Sequence, residues 1–314
     1  MTTRRDALKF SLATAALLAA RPGRLLASDA PATLLQRAIP RSGQQIPVVG
    51  LGSSATFSQL AGSGEVAALR EVLAEMARLG GTVFDTAPGY GASEQVAGDI
   101  ARELKLTESM FWATKVNVAG RGGGPADPAA ARAQIEASFA KLGKPVLDLV
   151  QVHNLGDVPV QLGILKELRE AGRVRHIGVT TTFPAQYPQL IEVMQGEPLD
   201  FIGIDYAIDN RAVEERILPL AQERGIAVMV YLPFGRTRLW ERVRGQAVPG
   251  WAAEFGARSW AQFFLKFVLA HPAVTVVTPA TSKAKHMADN LGAAFGQMPD
   301  AATRQRMIDH LAGL

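Results

Sequence analysis

Cysteine is absent from the 314-residue chain, which excludes disulfide bonds, thiolate metal sites and a cysteine nucleophile. This absence is also compatible with an oxidising compartment. Histidine is scarce, and no two of the five histidines have the spacing of metal ligands. A metal-dependent hydrolase is therefore disfavoured, and we predict no metal site. The histidines are His153, His176, His271, His286 and His310.

Excess charge is small outside the N-terminus. The chain has 33 basic and 29 acidic residues, a formal net charge of +4. Residues 1–30 hold five of the basic residues and two of the acidic ones, so the rest of the chain carries a net charge of +1. This balance gives no support for a nucleic-acid partner, which would require a basic surface to neutralise phosphates.

The N-terminus contains no apolar run long enough for a permanent membrane span. Residues 3–9 read TRRDALK, with Arg4 and Arg5 paired, and a modest apolar segment follows at residues 10–20. Residues 28–30 (SDA) are a candidate cleavage site. A twin-arginine export signal typically has these three features in this order: paired arginines, a short apolar segment and a cleavage site.

We therefore predict two parts of the chain: a twin-arginine signal peptide over residues 1–30 and a single domain over residues 31–314. The twin-arginine export machinery is a predicted partner. Because that machinery carries folded proteins, we expect the protein to fold in the cytoplasm and to become periplasmic or otherwise exported. An ordinary basic tail on a cytoplasmic protein is the alternative.

After the first 47 residues, short apolar runs alternate with helix-period segments. Each of eight runs is nearly continuous in apolar residues, as strands buried on both faces of a parallel sheet require. The runs are residues 48–51, 83–85, 111–114, 147–152, 174–179, 201–204, 227–231 and 274–278. The helix-period segments are residues 65–79, 93–104, 129–142, 162–171, 184–195, 212–223, 260–270 and 283–292.

Eight strands alternating with eight helices predict an α/β fold, a (β/α)8 barrel of the triosephosphate-isomerase type. A doubly wound open sheet is the alternative. No G-x-G-x-x-G motif follows the first strand, and residues 120–124 (GRGGG) lack the Lys-Ser/Thr of a phosphate loop. We also predict an N-terminal hairpin over residues 34–49, a candidate lid over residues 235–256 and an extra helix over residues 301–312.

The chain is organised around residues 83–94, which read VFDTAPGYGASE. Asp85 ends an apolar run, Tyr90 follows five residues later in a Gly/Pro-bearing turn, and Ser93 is placed to cap the next helix. An acid at a strand end with a tyrosine in the following loop suits proton chemistry. A turn-capping aspartate and a surface ring are the structural alternative.

Two more polar residues end the next two predicted strands. Lys115 follows the third strand and His153 follows the fourth. In a barrel these positions lie on the same face as Asp85 and Tyr90, and barrel enzymes build their active sites on that face. A solvated lysine and a satisfied buried histidine are separate structural explanations, but four polar residues at one edge favour catalysis.

Together the four side chains suit protonation of a carbonyl oxygen while a hydride reaches the carbonyl carbon. The ordinary pKa of tyrosine, about 10, is too high for easy proton donation near neutrality. A nearby ammonium lowers the pKa of the tyrosine, and a carboxylate keeps that ammonium charged and in position. A histidine can hydrogen-bond the substrate oxygen and orient it.

These residues, and the stretch VYLPFG at the end of the seventh predicted strand, resemble the aldo-keto reductase family over about residues 40–295. The resemblance implies NADPH-dependent reduction of an aldehyde or ketone to an alcohol, with the reverse oxidation open and NADH as an alternative cofactor. It implies that Tyr90 is the general acid, assisted by the other three side chains, and that Tyr231 stacks on the nicotinamide. The other implied cofactor-binding positions are Thr180, Thr181, Pro233, Thr281, Ser282, Lys283, His286 and Asn290.

Four positions depart from the family pattern. Thr180 and Thr181 stand where Ser-Asn commonly grips the carboxamide, and Gly203 stands where glutamine is common on the sixth strand. His286 replaces the arginine usual near the 2′-phosphate. These changes bear on cofactor affinity and on the preference for NADPH over NADH, and they leave the four catalytic candidates intact.

A second function stays open beside the reductase. It is a non-turnover nicotinamide-binding regulatory or sensor protein on the same fold, and potassium-channel β subunits resemble this family too. The complete set of four polar side chains favours the reductase, whose predicted partner is a small-molecule carbonyl substrate. Phe57, Trp240 and Trp251 are candidate pocket walls that also suit ordinary packing.

Overall fold

The computed structural model describes residues 34–119 and 124–314. The predicted signal peptide and residues 120–123 of the GRGGG stretch lie outside the described residues. A two-stranded hairpin precedes an eight-stranded parallel sheet. The strands are β1 (Gln36–Ala38), β2 (Gln45–Pro47), β3 (Leu51–Gly52), β4 (Val83–Asp85), β5 (Phe111–Val116), β6 (Leu147–Val152), β7 (Val174–Thr181), β8 (Phe201–Asp205), β9 (Ala227–Tyr231) and β10 (Val274–Val277).

The sheet closes into a barrel. Strands β3 to β10 follow one another in chain order, and bridges join Val49 to Val277 and Gly52 to Ala280 across the remaining seam. Gly52 suits this seam because a Cβ atom there would lie 2.6 Å from the Thr278 carbonyl oxygen. The predicted (β/α)8 barrel is confirmed, and the doubly wound alternative is wrong.

The predicted hairpin is present and covers the amino-terminal end of the barrel. Its Ile39 and Ile46 are buried against residues at the starts of the strands, among them Val83. The ring nitrogen Nε2 of His176 lies 3.1 Å from Gln44 Oε1 in the same region. Because this end is covered, a ligand must enter the barrel from the carboxyl ends of the strands.

The described helices lie outside the sheet and bury their apolar faces against it. None of them is long and apolar enough to cross a membrane. The helices are α1 (Thr56–Ser63), α2 (Val66–Arg78), α3 (Ser93–Glu103), α4 (Pro128–Leu142), α5 (Val158–Glu170), α6 (Tyr187–Gly196), α7 (Ile217–Arg224), α8 (Arg238–Arg242), α9 (Trp260–Leu269), α10 (Ala284–Gly292) and α11 (Ala301–Ala312).

Local sequence explains where α4 begins and ends. Asp127 accepts a hydrogen bond from the backbone of Ala129, Pro128 occupies the first turn, and Gly143 ends the helix with a φ of 70°.

The prediction that Ser93 caps α3 is wrong. Ala92 occupies the cap position, and the Ser93 hydroxyl instead lies 3.3 Å from the Ser53 carbonyl oxygen.

Candidate active site

Asp85, Tyr90, Lys115 and His153 come together at the carboxyl-terminal end of the barrel. Asp85 is the last residue of β4, and Lys115 lies next to the end of β5. His153 follows β6 directly, and Tyr90 lies in the loop after β4. Since parallel strands end at a common edge, the alternation of strands and helices delivers residues far apart in sequence to one place.

Lys115 and Asp85 form an ion pair inside the barrel. The Lys115 Nζ atom lies 2.8 Å and 2.9 Å from the two Asp85 carboxylate oxygens and 2.8 Å from the Thr86 carbonyl oxygen. Their side chains are only 1% and 4% exposed. Burial opposes the charge on Lys115, but attraction to Asp85 and Tyr90 outweighs it and raises the pKa of Lys115. The lysine therefore stays an ammonium.

Two tyrosine rings flank this ammonium. The Lys115 Nζ atom lies 5.1 Å from the ring centroids of both Tyr90 and Tyr231. The sequence predicts that the ammonium makes Tyr90 a stronger acid. Burial instead raises the pKa of Tyr90 above its ordinary value, while the positive charge of Lys115 acts in the opposite direction. Lys115 therefore limits a rise in the Tyr90 pKa that burial would otherwise make larger.

His153 is a neutral side chain beside Tyr90. The two rings meet edge to face, with centroids 5.7 Å apart and an interplanar angle of 85°. Burial, followed by the charge of Lys115, lowers the pKa of His153 to about 3. At neutral pH the imidazole is therefore uncharged, and it can hydrogen-bond an oxygen atom without adding a positive charge.

The residue after His153 is part of the site although the sequence analysis does not single it out. Asn154 has a left-handed backbone (φ 56°, ψ 35°), a conformation that asparagine tolerates better than most residues. Its backbone N–H donates to Thr180 Oγ1 at 3.2 Å, and its carbonyl oxygen accepts from Gln186 Nε2 at 3.1 Å. The only sequence signal is the pair of asparagine and glycine near His153, which is too common to indicate function.

Two cavities meet at these residues. One has a volume of about 550 Å³ and reaches Asp85 and Tyr231, and the other has a volume of about 1200 Å³. The residues that line both cavities are Tyr90, His153, Asn154 and Phe183. If two ligands were bound, one in each cavity, they would therefore be in contact beside the Tyr90 ring.

The predicted nicotinamide-binding residues divide between the smaller cavity and the core. Thr180, Tyr231 and Pro233 line the smaller cavity. Thr181 is fully buried, and its hydroxyl donates to Gln186 Oε1 at 2.5 Å and accepts from the Phe183 backbone at 3.1 Å. Of the two threonines, only Thr180 lines that cavity, and its hydroxyl accepts a hydrogen bond from the Asn154 backbone at 3.2 Å.

The residues predicted for the adenosine phosphate lie at the start of α10, except Asn290, which is buried near the other end of the helix, and none of them lines the two cavities. Lys283 and His286 are exposed, as is Lys285, a second lysine here that the sequence analysis does not single out. Burial lowers the pKa of His286, and the charges of the two lysines lower it in the same direction. The remaining members of this predicted group are Thr281, Ser282 and Asn290.

The three candidate wall residues have different environments. Trp240 is 38% exposed and lines the smaller cavity. Phe57 is fully buried with its ring 5.3 Å from that of Phe84, and Trp251 packs against Phe263 at 5.7 Å. Trp240, which lies in the predicted lid segment, is therefore the one that borders a cavity.

The sequence profile of the Aldo/keto reductase family matches residues 48–305, most of the chain. The chain therefore belongs to the aldo/keto reductase family and is an oxidoreductase that acts on carbonyl compounds. A probable aldo-keto reductase of Glycine max is 27% identical over 265 residues, which cover 71% of this chain and 74% of the relative. An Escherichia coli K12 protein named NADH-specific methylglyoxal reductase is 29% identical over 202 residues, covering 58% of this chain and 61% of the relative.

Solved structures of aldo-keto reductases share the fold. The holo form of a Bacillus halodurans enzyme superposes with a TM-score of 0.70 at 23% identity, covering 88% of this chain and 96% of that one. A Klebsiella pneumoniae enzyme in complex with NADP and acetate superposes with a TM-score of 0.69 at 22% identity, with the same coverage of 88% and 96%. Identities this low support the barrel architecture alone.

Proposed function

We propose that the protein is an NADPH-dependent reductase that converts an aldehyde or ketone into an alcohol, with Tyr90 as the general acid. The observation that carries this proposal is the meeting of two cavities at Tyr90 and His153, next to the buried Lys115–Asp85 pair. The smaller cavity suits the nicotinamide end of a cofactor, and the larger one suits the substrate. A carbonyl group at their junction would contact both the acid and the cofactor.

Each of the four side chains has a role in moving one proton. Tyr90 donates its phenolic proton to the carbonyl oxygen, and the Lys115 ammonium stabilises the phenolate that remains. Asp85 keeps Lys115 charged and holds it in place through two hydrogen bonds. Neutral His153 donates a hydrogen bond to the same substrate oxygen and orients it toward Tyr90.

The residues present fit a nicotinamide cofactor. NADPH supplies the hydride when bound. Tyr231 and Thr180 border the smaller cavity, and the exposed Lys283 and Lys285 lie at the first turn of α10. A helix N-terminus with nearby lysines favours a phosphate group, which supports NADPH over NADH. The Klebsiella pneumoniae structure is a complex with NADP and the Escherichia coli relative is named NADH-specific, so we keep NADH as the alternative.

A turnover screen tests this function. The purified protein is mixed with NADPH or NADH and with panels of aldehydes, ketones and sugars, and cofactor loss is followed by nicotinamide absorbance. Turnover with at least one carbonyl compound is expected. Tight cofactor binding without turnover on any panel would instead support the regulatory or sensor alternative. Failure to bind either cofactor would refute both.

We also propose that residues 1–30 form a twin-arginine signal and that residues 31–314 leave the cytoplasm as one folded domain. The support is the order of paired arginines, apolar segment and candidate cleavage site in the sequence. Replacing Arg4 and Arg5 with lysines keeps the charge but removes the arginine pair. We expect loss of the protein from the periplasmic fraction, and an unchanged periplasmic yield would contradict the proposal.

A further inference from the structure

Tyr231 extends beyond the cavity wall to the buried ion pair. Its hydroxyl oxygen lies 3.2 Å from Asp85 Oδ1 and 3.1 Å from Gln151 Nε2. Because an amide nitrogen only donates, Tyr231 accepts a hydrogen bond from Gln151 and donates its own proton to Asp85. The Asp85 carboxylate is therefore held from two sides, by Lys115 and by Tyr231.

Gly203 on the neighbouring strand β8 makes room for the Tyr231 ring. A Cβ atom on Gly203 would lie 2.5 Å from Tyr231 Cε2 and 2.7 Å from the Tyr231 hydroxyl oxygen. Both distances are too short for non-bonded atoms, so any other residue at this position would displace the ring. The glycine at position 203, which departs from the family pattern, therefore allows the contact between the Tyr231 hydroxyl and Asp85.

We propose that Tyr231 is a positioning residue for the Asp85–Lys115 pair, and that its hydroxyl, accommodated by Gly203, controls how strongly Asp85 holds the Lys115 ammonium away from Tyr90. The effect on Tyr90 rests on the proposed reductase function. The contact with Asp85 stands on the distances alone.

The direction of the effect follows from the groups that face the pair. These groups are Tyr90 and Tyr231, and neutral His153 meets the Tyr90 ring edge to face. A hydrogen bond from Tyr231 disperses part of the negative charge of Asp85. Without it, Asp85 attracts Lys115 more strongly, and the ammonium stabilises a Tyr90 phenolate less. The pKa of Tyr90 should then rise.

The first test compares Tyr231→Phe with wild type in the oxidation of an alcohol, where Tyr90 must accept a proton. The apparent pKa of kcat/KM should move upward by about half to one unit, because a hydrogen bond to a charged group is lost. Cofactor affinity should stay within about twofold, since the ring is retained. Gly203→Ala should shift the pKa in the same direction and should also weaken cofactor binding.

Tyr187→Phe is the matched control. The Tyr187 hydroxyl also donates to a carboxylate, Asp205 Oδ1 at 2.9 Å, but neither residue hydrogen-bonds to Asp85 or Lys115. This variant should keep the wild-type pH profile. An unchanged apparent pKa in Tyr231→Phe, or an equal shift in Tyr187→Phe, would overturn the proposal.

A second test needs no turnover. Tyr231→Phe should lower the urea midpoint of unfolding in the wild-type background. In an Asp85→Asn background the same change should lower the midpoint much less, because the hydrogen bond from Tyr231 to residue 85 is already weakened there. Equal losses in the two backgrounds would refute the contact. If wild type binds cofactor but turns over no substrate, the reductase function fails, while this cycle still decides whether Tyr231 holds Asp85.

Discussion

Lys115→Met provides a demanding test of the buried ion pair. Methionine retains the length and apolar character of the lysine stem but removes the charge that neutralises Asp85. Breaking a buried pair in this way typically destabilises a protein by about 3–5 kcal/mol. Asp85 can escape the cost of an unpaired buried charge by taking up a proton, which limits that part of the loss in stability. Protonation costs about 1.4 kcal/mol per pH unit above the ordinary pKa, or about 4 kcal/mol at pH 7.

Because protonation of Asp85 costs less at lower pH, the loss in unfolding free energy caused by Lys115→Met depends on pH. At pH 5 protonating Asp85 costs only about 1.5 kcal/mol, so the difference in unfolding free energy between wild type and Lys115→Met should narrow by roughly 2–3 kcal/mol. The sign follows from linkage. Burial without Lys115 raises the folded-state pKa of Asp85, so the variant takes up a proton on folding and loses stability as pH rises.

Urea unfolding at several pH values, followed by circular dichroism, measures both the loss in unfolding free energy and its change with pH. The double variant Lys115→Met with Asp85→Asn is the control, because it removes both charges. It should recover part of the stability and lose the additional pH dependence. A Lys115→Met loss that is equal at pH 5 and pH 7 would refute the reasoning that Asp85 is left as a buried, unpaired acid.

Two further predictions concern the substrate oxygen and the cofactor phosphate. His153→Gln should lower kcat/KM while leaving the shape of its pH profile between about pH 5 and 9 unchanged, since a histidine with a pKa of about 3 stays neutral throughout that range. Disappearance of an ionisation near neutrality would contradict this. Lys283→Ala should weaken NADPH binding about fivefold or more, and NADH binding much less, as measured by fluorescence titration. Equal losses for both cofactors in Lys283→Ala would show that Lys283 does not contact the 2′-phosphate.

Much of the barrel could be predicted because its strands are buried on both faces. The predicted runs 83–85, 147–152 and 227–231 coincide with β4, β6 and β9. Helix α1 was missed because its sequence, TFSQLAGS, has few apolar residues, and it buries only Phe57 and Ala61. A helix held by so few positions gives little periodic signal.

The positions of the four catalytic candidates followed from strand ends, but the finer geometry depends on contacts distant in sequence. The left-handed backbone of Asn154 is held by Thr180 and Gln186, which lie on and after another strand. The hydroxyl of Tyr231 reaches Asp85 only because a glycine lies beside it on β8. Neither arrangement has a local pattern, so neither could be predicted from neighbouring residues.

The measurement that most directly tests the central claim is the rate of hydride transfer in a single turnover of Tyr90→Phe. With NADPH bound and a substrate from the screen, wild type should consume the cofactor rapidly. The variant should be slower by about a hundredfold or more while binding NADPH with an affinity within about threefold of wild type, because only the proton donor is missing. A variant rate within about threefold of wild type would contradict the assignment of Tyr90 as the general acid.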